Sequence, residues 1–230
     1  MLTTFTAPAF AGTWYIEDGD ITISAGESGN NVTQNNNTTY GDTNTIITNQ
    51  NKDTASSHTV TIEAKDKDDK VEVTLKDVNI NVGSDSGSAL TSNGDVTLTL
   101  KGDNHLTGGI SGNGYGGSGI ASTGSLTISG GEIQQATGGD STGISGKGGT
   151  GIRGDQVVKI SGGAIGSAKG GSGDSGGAGI GTGAKPAFAT EINISGGTIT
   201  EATGGTGGAG IGSGSNSSTA TTINIIGGTI

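Results

Sequence analysis

The sequence is short of several residue types on which most folds depend. It has no cysteine, two prolines and only 3% aromatic residues in a chain of 230. Without cysteine there is neither a disulfide framework nor a thiolate metal site. Only 29% of the chain is hydrophobic, which is too little for a broad globular core. Any apolar surface that this chain buries must therefore form a thin, regular stripe.

Basic residues are also scarce. The chain carries 11 lysines and arginines against 21 acidic residues, a formal net charge of −10. Such a chain lacks the basic surface that binds phosphate backbones, so we predict no nucleic-acid partner. No stretch approaches the roughly 20 consecutive apolar residues that a membrane-spanning helix needs, so we predict no membrane insertion of this segment. Nothing in the sequence indicates an oligomeric state.

Glycine, by contrast, is abundant, with 49 residues. No three-residue period accompanies it, which excludes a collagen helix. From about residue 88 one phrase recurs at steps of 28 to 32 residues: a small-apolar pair, a glycine-rich turn, an alternating strand, Gly-Gly, a short strand and a glycine loop. A period of this kind is typical of stacked supersecondary units whose loops vary in length. The recurring pairs are Ala89-Leu90, Gly119-Ile120, Gly151-Ile152, Gly179-Ile180 and Gly210-Ile211.

Within each phrase the apolar residues alternate with period two, which places them on one face of a strand. They predict three ladders, formed by the pairs above, by the main strand and by the strand after Gly-Gly. The main-strand ladder is Val73/Leu75, Val96/Leu98/Leu100, Leu126/Ile128, Val158/Ile160, Ile192/Ile194 and Ile223/Ile225. The third ladder is Ile133, Ile165, Ile199 and Ile230. The predicted fold is all-β: a right-handed parallel β-helix, or β-solenoid, with coils of about 30 residues and three short strands each.

The chain divides into three predicted regions. Residues 1–11 are interpreted as a signal-peptide remnant, because Ala9-Phe10-Ala11 has the small-x-small form of a cleavage site; an ordinary extended N-terminal arm is the alternative. Residues 12–70 are expected to form an N-terminal cap and irregular first coils, and residues 71–230 a regular β-solenoid. Since Ile230 falls in the middle of a repeat, we expect the natural protein to continue beyond it.

Two details of the N-terminal region can be tested against the structure. The bulkiest cluster, Trp14, Tyr15 and Ile16, is expected to cover the exposed end of the solenoid. The asparagine- and threonine-rich stretch 29–42 is interpreted as a polar loop between strands.

The repeats resemble a known family. The phrases LTISGGEIQQATGG and INISGGTITEATGG, preceded by VEVTLKDVNINV, are similar to those of β-helical carbohydrate-binding domain proteins of clostridia and other Gram-positive bacteria. The similarity covers roughly residues 58–230. It implies a parallel β-helix, secretion, attachment to the cell surface and binding of acidic plant polysaccharide with calcium. No short motif carries binding residue by residue, so the resemblance assigns no site.

Catalytic residue types are sparse. Polysaccharide-cleaving enzymes on such folds need paired carboxylates, or calcium beside a basic residue, on one outward face. The outward strand positions are mostly Thr, Ser, Asn or Lys, and the only arginine is Arg153. The two histidines, His58 and His105, lie far apart and outside any metal-ligand pattern. We therefore predict that the chain is not an enzyme.

One acidic run is a candidate calcium site. Asp66, Asp68 and Asp69 supply three carboxylates in one turn, and carboxylate oxygens are the ligands that calcium prefers. Lysines interleave with the same run, so a solvated charged loop is the alternative interpretation.

The candidate ligand-binding residues lie in two glycine-rich loops, Ser111–Ser118 and Gly138–Thr150. Both loops are long, polar and free of strand pattern, and such loops commonly carry function. Tyr115 is the notable member, because an aromatic ring in a loop can stack on a sugar or enter a partner. The four candidates are Asn113, Tyr115, Asp140 and Lys147.

These observations predict a non-catalytic, extracellular binding module of a bacterial, Gram-positive surface protein. Its expected partner is a polysaccharide, by the resemblance and by the long polar face. An adhesin that binds a host surface glycan or protein is the alternative, and a passive stalk is the third. The tripeptide Arg153-Gly154-Asp155 is of the integrin-binding type, but it lies at a coil corner where glycine is expected, so we interpret it as a chance occurrence.

Overall fold

The computed structural model describes residues 10–66, 68–184 and 189–230. Their fold is an all-β parallel β-solenoid of about 7 turns, with ~31 residues in each coil. The predicted fold class is confirmed. One short 3-10 turn, Ile16–Asp18, interrupts the first coil. Of the predicted signal-peptide remnant, residues 1–9 lie outside the described residues, and its cleavage remains a prediction.

The described part of the chain forms short strands, numbered here in chain order. They are β1 (Thr13–Tyr15), β2 (Ile21–Gly26), β3 (Gly29–Gln34), β4 (Asn37–Asp42), β5 (Ile46–Thr48), β6 (Val60–Glu63), β7 (Lys70–Lys76), β8 (Asn79–Asn81), β9 (Leu90–Asn93), β10 (Asp95–Lys101), β11 (Asp103–Thr107), β12 (Ile120–Ser122), β13 (Ser125–Ser129), β14 (Glu132–Thr137), β15 (Ile152–Gly154), β16 (Val157–Ile160), β17 (Ala164–Lys169), β18 (Ile180–Gly181), β19 (Thr190–Ile194), β20 (Thr198–Ile199), β21 (Ala202–Thr203), β22 (Ile211–Gly212) and β23 (Thr221–Ile225).

Three sheets form the walls of the solenoid, and each coil contributes to all of them in its regular part. Sheet I has the order β1-β5-β7-β10-β13-β16-β19-β23, and sheet II the order β20-β17-β14-β11-β8 with β21 also paired to β17. Sheet III has the order β22-β18-β15-β12-β9-β6-β2-β3-β4. Pairing is parallel between coils, because each strand reaches its neighbour only after a full turn of the chain.

The observed register confirms the main-strand ladder, although its last pair, Ile223 and Ile225, keeps the register and is exposed. In sheet I, Leu98 pairs with Val73 on one side and with Ile128 on the other, and Ile160 pairs with Ile194. Their side chains are buried in a single continuous core. The ladder of small-apolar pairs is confirmed in the same way, since Ile120 pairs with both Leu90 and Ile152. Each aliphatic side chain therefore packs on the equivalent residues of the coils above and below.

The ladder after Gly-Gly is confirmed for Ile133, Ile165 and Ile199, but it contains a substitution that the pattern did not show. Asn104 lies in register with Ile133 and is completely buried. Its Oδ1 accepts the N–H of Val78 at 3.0 Å, and its Nδ2 donates to the carbonyls of Lys101 at 3.2 Å and Glu132 at 2.8 Å. Asn104 thus ties three successive coils together through their backbones.

The interpretation of residues 29–42 as a polar loop is wrong. They form β3 and β4, which extend sheet III as antiparallel strands beyond β2. Asn35 and Asn36 adopt φ values of 51° and 61°, the left-handed backbone that a two-residue hairpin turn requires and that asparagine tolerates. The tight turn therefore allows a polar sequence to form the hairpin that covers this edge of the solenoid.

The Trp14–Ile16 cluster also differs from its predicted role. Ile16 is fully buried in the core, and Trp14 packs against that core from the first strand of sheet I. The Trp14 Nε1 donates to the buried carboxylate of Asp42 at 2.9 Å, and Gly12 N–H donates to the same carboxylate at 2.9 Å. The cluster is thus part of the first coil, and the antiparallel hairpin is the cover.

Candidate functional site

The glycine-rich loops are ordered projections of the solenoid. In the regular coils the chain leaves sheet II and runs outward, then turns and runs back along its outgoing segment before it enters sheet III. We call this projection, which has an outgoing and a returning layer, a tongue. The tongues comprise residues 83–88, 108–118, 138–150, 170–178 and 204–209. As the sequence pattern indicates, the two candidate loops contain no strands among the described residues, but they stack on one another through backbone hydrogen bonds and isolated bridges.

One continuous run of glycine backbone hydrogen bonds holds the tongues together. The bonds alternate between the two layers of one tongue and the step to the next tongue, and all lie in the interior of the stack. There are seven of these bonds, with N···O distances of 2.7 to 3.2 Å. Written with the N–H donor first and the C=O acceptor second, they are Gly205 to Gly177, Gly177 to Gly171, Gly171 to Gly149, Gly149 to Gly139, Gly139 to Gly117, Gly117 to Gly109 and Gly109 to Gly87. A Cβ atom on Gly117, Gly139 or Gly149 would overlap a carbonyl oxygen of the neighbouring tongue. Only glycine allows the backbones to approach this closely.

Two buried serines fix the outer parts of the tongues. Ser111 Oγ donates to the carbonyl of Asn113 at 2.8 Å, and Ser141 Oγ donates to the carbonyl of Gly114 at 3.1 Å. Ser111 and Ser141 also bridge each other across adjacent tongues. The tips that carry the candidate binding residues are therefore held by a polar interior, and they form a preorganised surface.

Tyr115 and Lys147 are brought together by this stacking. They occupy equivalent positions on the returning layers of neighbouring tongues, where they form a β-bridge. The Lys147 ammonium lies 4.0 Å from the centre of the Tyr115 ring and donates a hydrogen bond to the phenol oxygen. Tyr115 remains 58% exposed. The charge-assisted hydrogen bond at the phenol oxygen holds the end of the ring, so the ring is presented to solvent in a defined orientation.

The other two candidates do not join this pair. Asp140 lies on the outgoing layer, where its Oδ1 accepts the N–H of Ser172 at 2.7 Å. Asn113 is exposed at the tip of the tongue that carries Tyr115. In the described chain no hydrogen bond or ion pair connects either side chain to Tyr115 or Lys147. Of the four predicted residues, the structure groups two.

The candidate calcium residues do not fit a calcium ion. Asp69 accepts the backbone N–H of Asp66 at 3.0 Å, and the Asp69 N–H donates to the Asp66 carbonyl, so this carboxylate closes its own turn. Lys65 pairs with Glu63 at 2.7 Å, and this hydrogen bond and charge raise the pKa of Lys65. Among residues 10–66, 68–184 and 189–230, no group of three His, Cys, Asp or Glu side chains is placed to hold a metal. Calcium needs more converging oxygens than Asp66, Asp68 and Asp69 present.

We accordingly expect calcium to leave the stability of the chain unchanged. A site occupied at a hundred times its dissociation constant would raise the free energy of unfolding by about 2.7 kcal/mol. Thermal unfolding after EDTA treatment, followed by titration with CaCl₂, measures this directly. A saturable rise in the unfolding midpoint that disappears in the Asp66→Asn/Asp69→Asn variant would contradict the expectation.

Of the two histidines, His58 lies next to a carboxylate, that of Asp20, which has a structural role. His58 Nδ1 lies 3.5 Å from Asp20 Oδ1. That oxygen also accepts the N–H of Thr59 at 2.7 Å and the Thr59 hydroxyl at 3.2 Å. The nearby hydroxyl donates to the carboxylate rather than to the imidazole, which is the opposite of what an activated nucleophile needs. The contacts of Asp20 with His58 and Thr59 join the start of β2 to the following coil.

In the Arg153-Gly154-Asp155 tripeptide, the two charged side chains form an ion pair with each other. The Arg153 guanidinium donates Nε and Nη2 to the two carboxylate oxygens of Asp155, each at 2.8 Å. Gly154 is buried in β15, where a Cβ atom would overlap the side chain of Val158. The three residues thus make a coil corner, with both charged groups engaged by each other.

No protein-family model, curated protein or solved structure matches this chain. The architecture itself places the chain in the class of parallel β-solenoid proteins. In the part of the chain that the structure describes, no helix has the length and apolarity to cross a membrane.

A further group of outward residues appears only when the strands are in register. Tyr15, Thr48, Lys76 and Lys101 form one row across sheet I, perpendicular to its strands. Lys76 and Lys101 directly follow Leu75 and Leu100, which the main-strand ladder aligns, whereas Tyr15 and Thr48 lie in the N-terminal region that carries no repeating phrase. This row is called the Tyr-Lys row below.

Proposed function

We propose that this chain is a non-catalytic, secreted binding module of a Gram-positive bacterial surface protein, and that it binds carbohydrate at the stacked tongues. The observation that carries the proposal is the exposed Tyr115 ring, held by Lys147 on a rigid polar surface. Sugar-binding sites use an aromatic face for the apolar side of the ring and neighbouring polar groups for its hydroxyls. The resemblance of the repeats to carbohydrate-binding β-helical proteins supports the same ligand class.

The rigidity of the tongues favours binding by a small contact area. Ordering a flexible loop costs free energy when the ligand binds, and a preorganised surface avoids this cost. Here the glycine hydrogen bonds and the buried serines order the tongues before any ligand arrives. An extended polysaccharide could contact several tongues at once, since successive tongues repeat with the coil spacing of about 4.8 Å.

A glycan array, probed with and without calcium, tests the proposal. We expect saturable binding that is weakened about twofold to tenfold by Tyr115→Ala, since such an aromatic contact contributes about 0.5–1.5 kcal/mol. Lys147→Ala should weaken it less, because the ring remains but its position is released. Tyr40→Ala is the matched control, as Tyr40 is 73% exposed on β4 at the N-terminal hairpin. Equal losses in the Tyr115 and Tyr40 variants would contradict a site at the tongues.

A specific observation favours the adhesin alternative. Ile144 is 97% exposed at the tip of its tongue, and Ile110 is 48% exposed on the outgoing layer of the preceding tongue. Exposed aliphatic side chains on a projection suit a protein partner better than a sugar. If the array is silent, recovery of a host-surface protein by the parent chain but not by Ile144→Ser would support an adhesin. Silence in both experiments would support a passive stalk.

A further inference from the structure

The Tyr-Lys row places two positive charges side by side in an acidic protein. Lys76 and Lys101 are directly paired on adjacent parallel strands and both are exposed. Like charges directly opposite each other destabilise a sheet. The chain has a formal charge of −10, yet in the described residues no carboxylate forms an ion pair with either lysine. An unrelieved repulsion of this kind is expected where a bound anion supplies the missing negative charge.

The acidic residues that follow the two strands, and Glu17 beside the groove, make other contacts. The Glu17 carboxylate accepts the N–H groups of Gln50 at 2.9 Å and Asn51 at 3.1 Å. Asp77 and Asp103 follow the two strands at the corner between sheets I and II. The Asp77 Oδ1 accepts the N–H of Asp103 at 3.2 Å, so this carboxylate faces the corner of the next coil. In the adjoining coil β13 ends at Ser129 and is followed by Gly130 and Gly131, so glycines and no side chains lie opposite Leu100 and Lys101. The two ammonium groups are thus left open on the outer face of sheet I.

An aromatic residue and a groove complete the arrangement. Tyr15 lies at the end of the row, with its side chain on the same outer face and Thr48 between it and Lys76. Tyr15, Thr48 and Lys76 line a groove of about 680 Å³, together with Thr13 and Gln50, and Lys101 lies next to Lys76 outside this lining. This volume lies within the roughly 300–1,000 Å³ usual for small-ligand sites. Tyr15 and Lys76 are two strand spacings apart, or about 9.6 Å, which spans a sugar ring and a substituent on it.

We propose that the Tyr-Lys row is a second binding site, separate from the tongues, for a sugar that carries a phosphate or sulfate ester. The ring lies against Tyr15, and the ester oxygens lie between the ammonium groups of Lys76 and Lys101. Two lysines suit a tetrahedral oxyanion, because each ammonium is a compact point charge that can meet a different oxygen of a phosphate or sulfate group. Only the sugar part of the ligand rests on the function proposed above.

A titration followed by two-dimensional NMR of the full chain tests this site. The probes are D-glucose 6-phosphate, D-glucose 6-sulfate, D-glucuronate, D-glucose and inorganic phosphate. We expect at least one of the two esters to bind about tenfold more tightly than glucose and glucuronate, with shifts at Thr48, Lys76 and Lys101. Comparison of the two esters identifies which oxyanion the site prefers. Binding of glucuronate or inorganic phosphate as tight as that of both esters would overturn the assignment.

Variants distinguish a built site from general attraction. Lys76→Ala/Lys101→Ala should weaken ester binding at least tenfold, and Tyr15→Leu should weaken ester binding severalfold while leaving inorganic phosphate unaffected. Lys159→Ala/Lys169→Ala removes the same charge from other exposed positions and should change nothing. An equal loss in this control pair would overturn the proposal. Tyr115→Ala should leave ester binding intact, so a silent glycan array with a positive titration would reject the tongue site and keep this one.

Discussion

Replacement of Gly139 by alanine is expected to lower the free energy of unfolding by about 3 kcal/mol, the upper end of the usual cost of overpacking. The added methyl group would overlap the carbonyl of Gly109 in the preceding tongue. A backbone carbonyl cannot rotate away as a flexible side chain can, so the two tongues must separate. That separation would break the hydrogen bond from the Gly139 N–H to the carbonyl of Gly117, whereas the bond from Gly149 to Gly139 lies within one tongue. Urea unfolding measures the loss, and faster hydrogen exchange at Gly139 than at Gly149 locates it.

Gly112 offers a control in the same stack of tongues. No heavy atom lies within 4 Å of the position that its Cβ would occupy, so Gly112→Ala should change the free energy of unfolding by less than about 0.5 kcal/mol. If both variants were equally stable, the tongues would not be packed through their glycine backbones. The ordered surface on which Tyr115 is presented would then lose its physical basis.

Replacement of Asn104 by isoleucine is expected to destabilise the chain by about 3 kcal/mol, although the repeat pattern would place an aliphatic residue there. The substitution adds apolar surface to the ladder. It also leaves the Val78 N–H and the carbonyls of Lys101 and Glu132 without their Asn104 partner. Each buried polar group that loses its partner costs about 1–3 kcal/mol, which exceeds the gain from one aliphatic side chain. Equilibrium urea unfolding of the variant measures the difference.

The same substitution at an outward asparagine separates this effect from residue type. Asn193 lies on the outer face of sheet I, where its amide bonds, among the described residues, only to exposed side chains of Glu191 and Asn224. Asn193→Ile should change stability by less than about 0.5 kcal/mol. A more stable Asn104→Ile variant would mean that apolar area, and not the polar tie between coils, governs this position of the core.

The aliphatic ladders could be predicted from the sequence because their cause is local and repeated. Period-two alternation determines which face of a strand is buried, and a repeat near 30 residues determines which residues stack. Leu98, Ile128 and Ile160 therefore aligned as expected. The N-terminal hairpin was missed because a polar composition concealed a strand pair whose turn depends on two left-handed asparagines.

The candidate binding surface was predicted only in part. The sequence drew attention to Tyr115 and Lys147, but their contact depends on the register of two tongues of different length. It also suggested Asp66, Asp68 and Asp69 for calcium, since adjacent carboxylates in a sequence resemble a coordination set. In the folded chain, by contrast, the Asp69 carboxylate closes its own turn.

The sequence by itself determined that this chain is a β-solenoid, because a thin aliphatic stripe with a fixed repeat can be buried only by stacking similar coils. Tertiary structure alone decided the interior of the tongues, the polar tie at Asn104 and the place of Tyr15 and Thr48 in the Tyr-Lys row. Each of these depends on how insertions of unequal length align between neighbouring coils. Strand alternation carries no information about that alignment, and hydrogen bonding between whole coils establishes it.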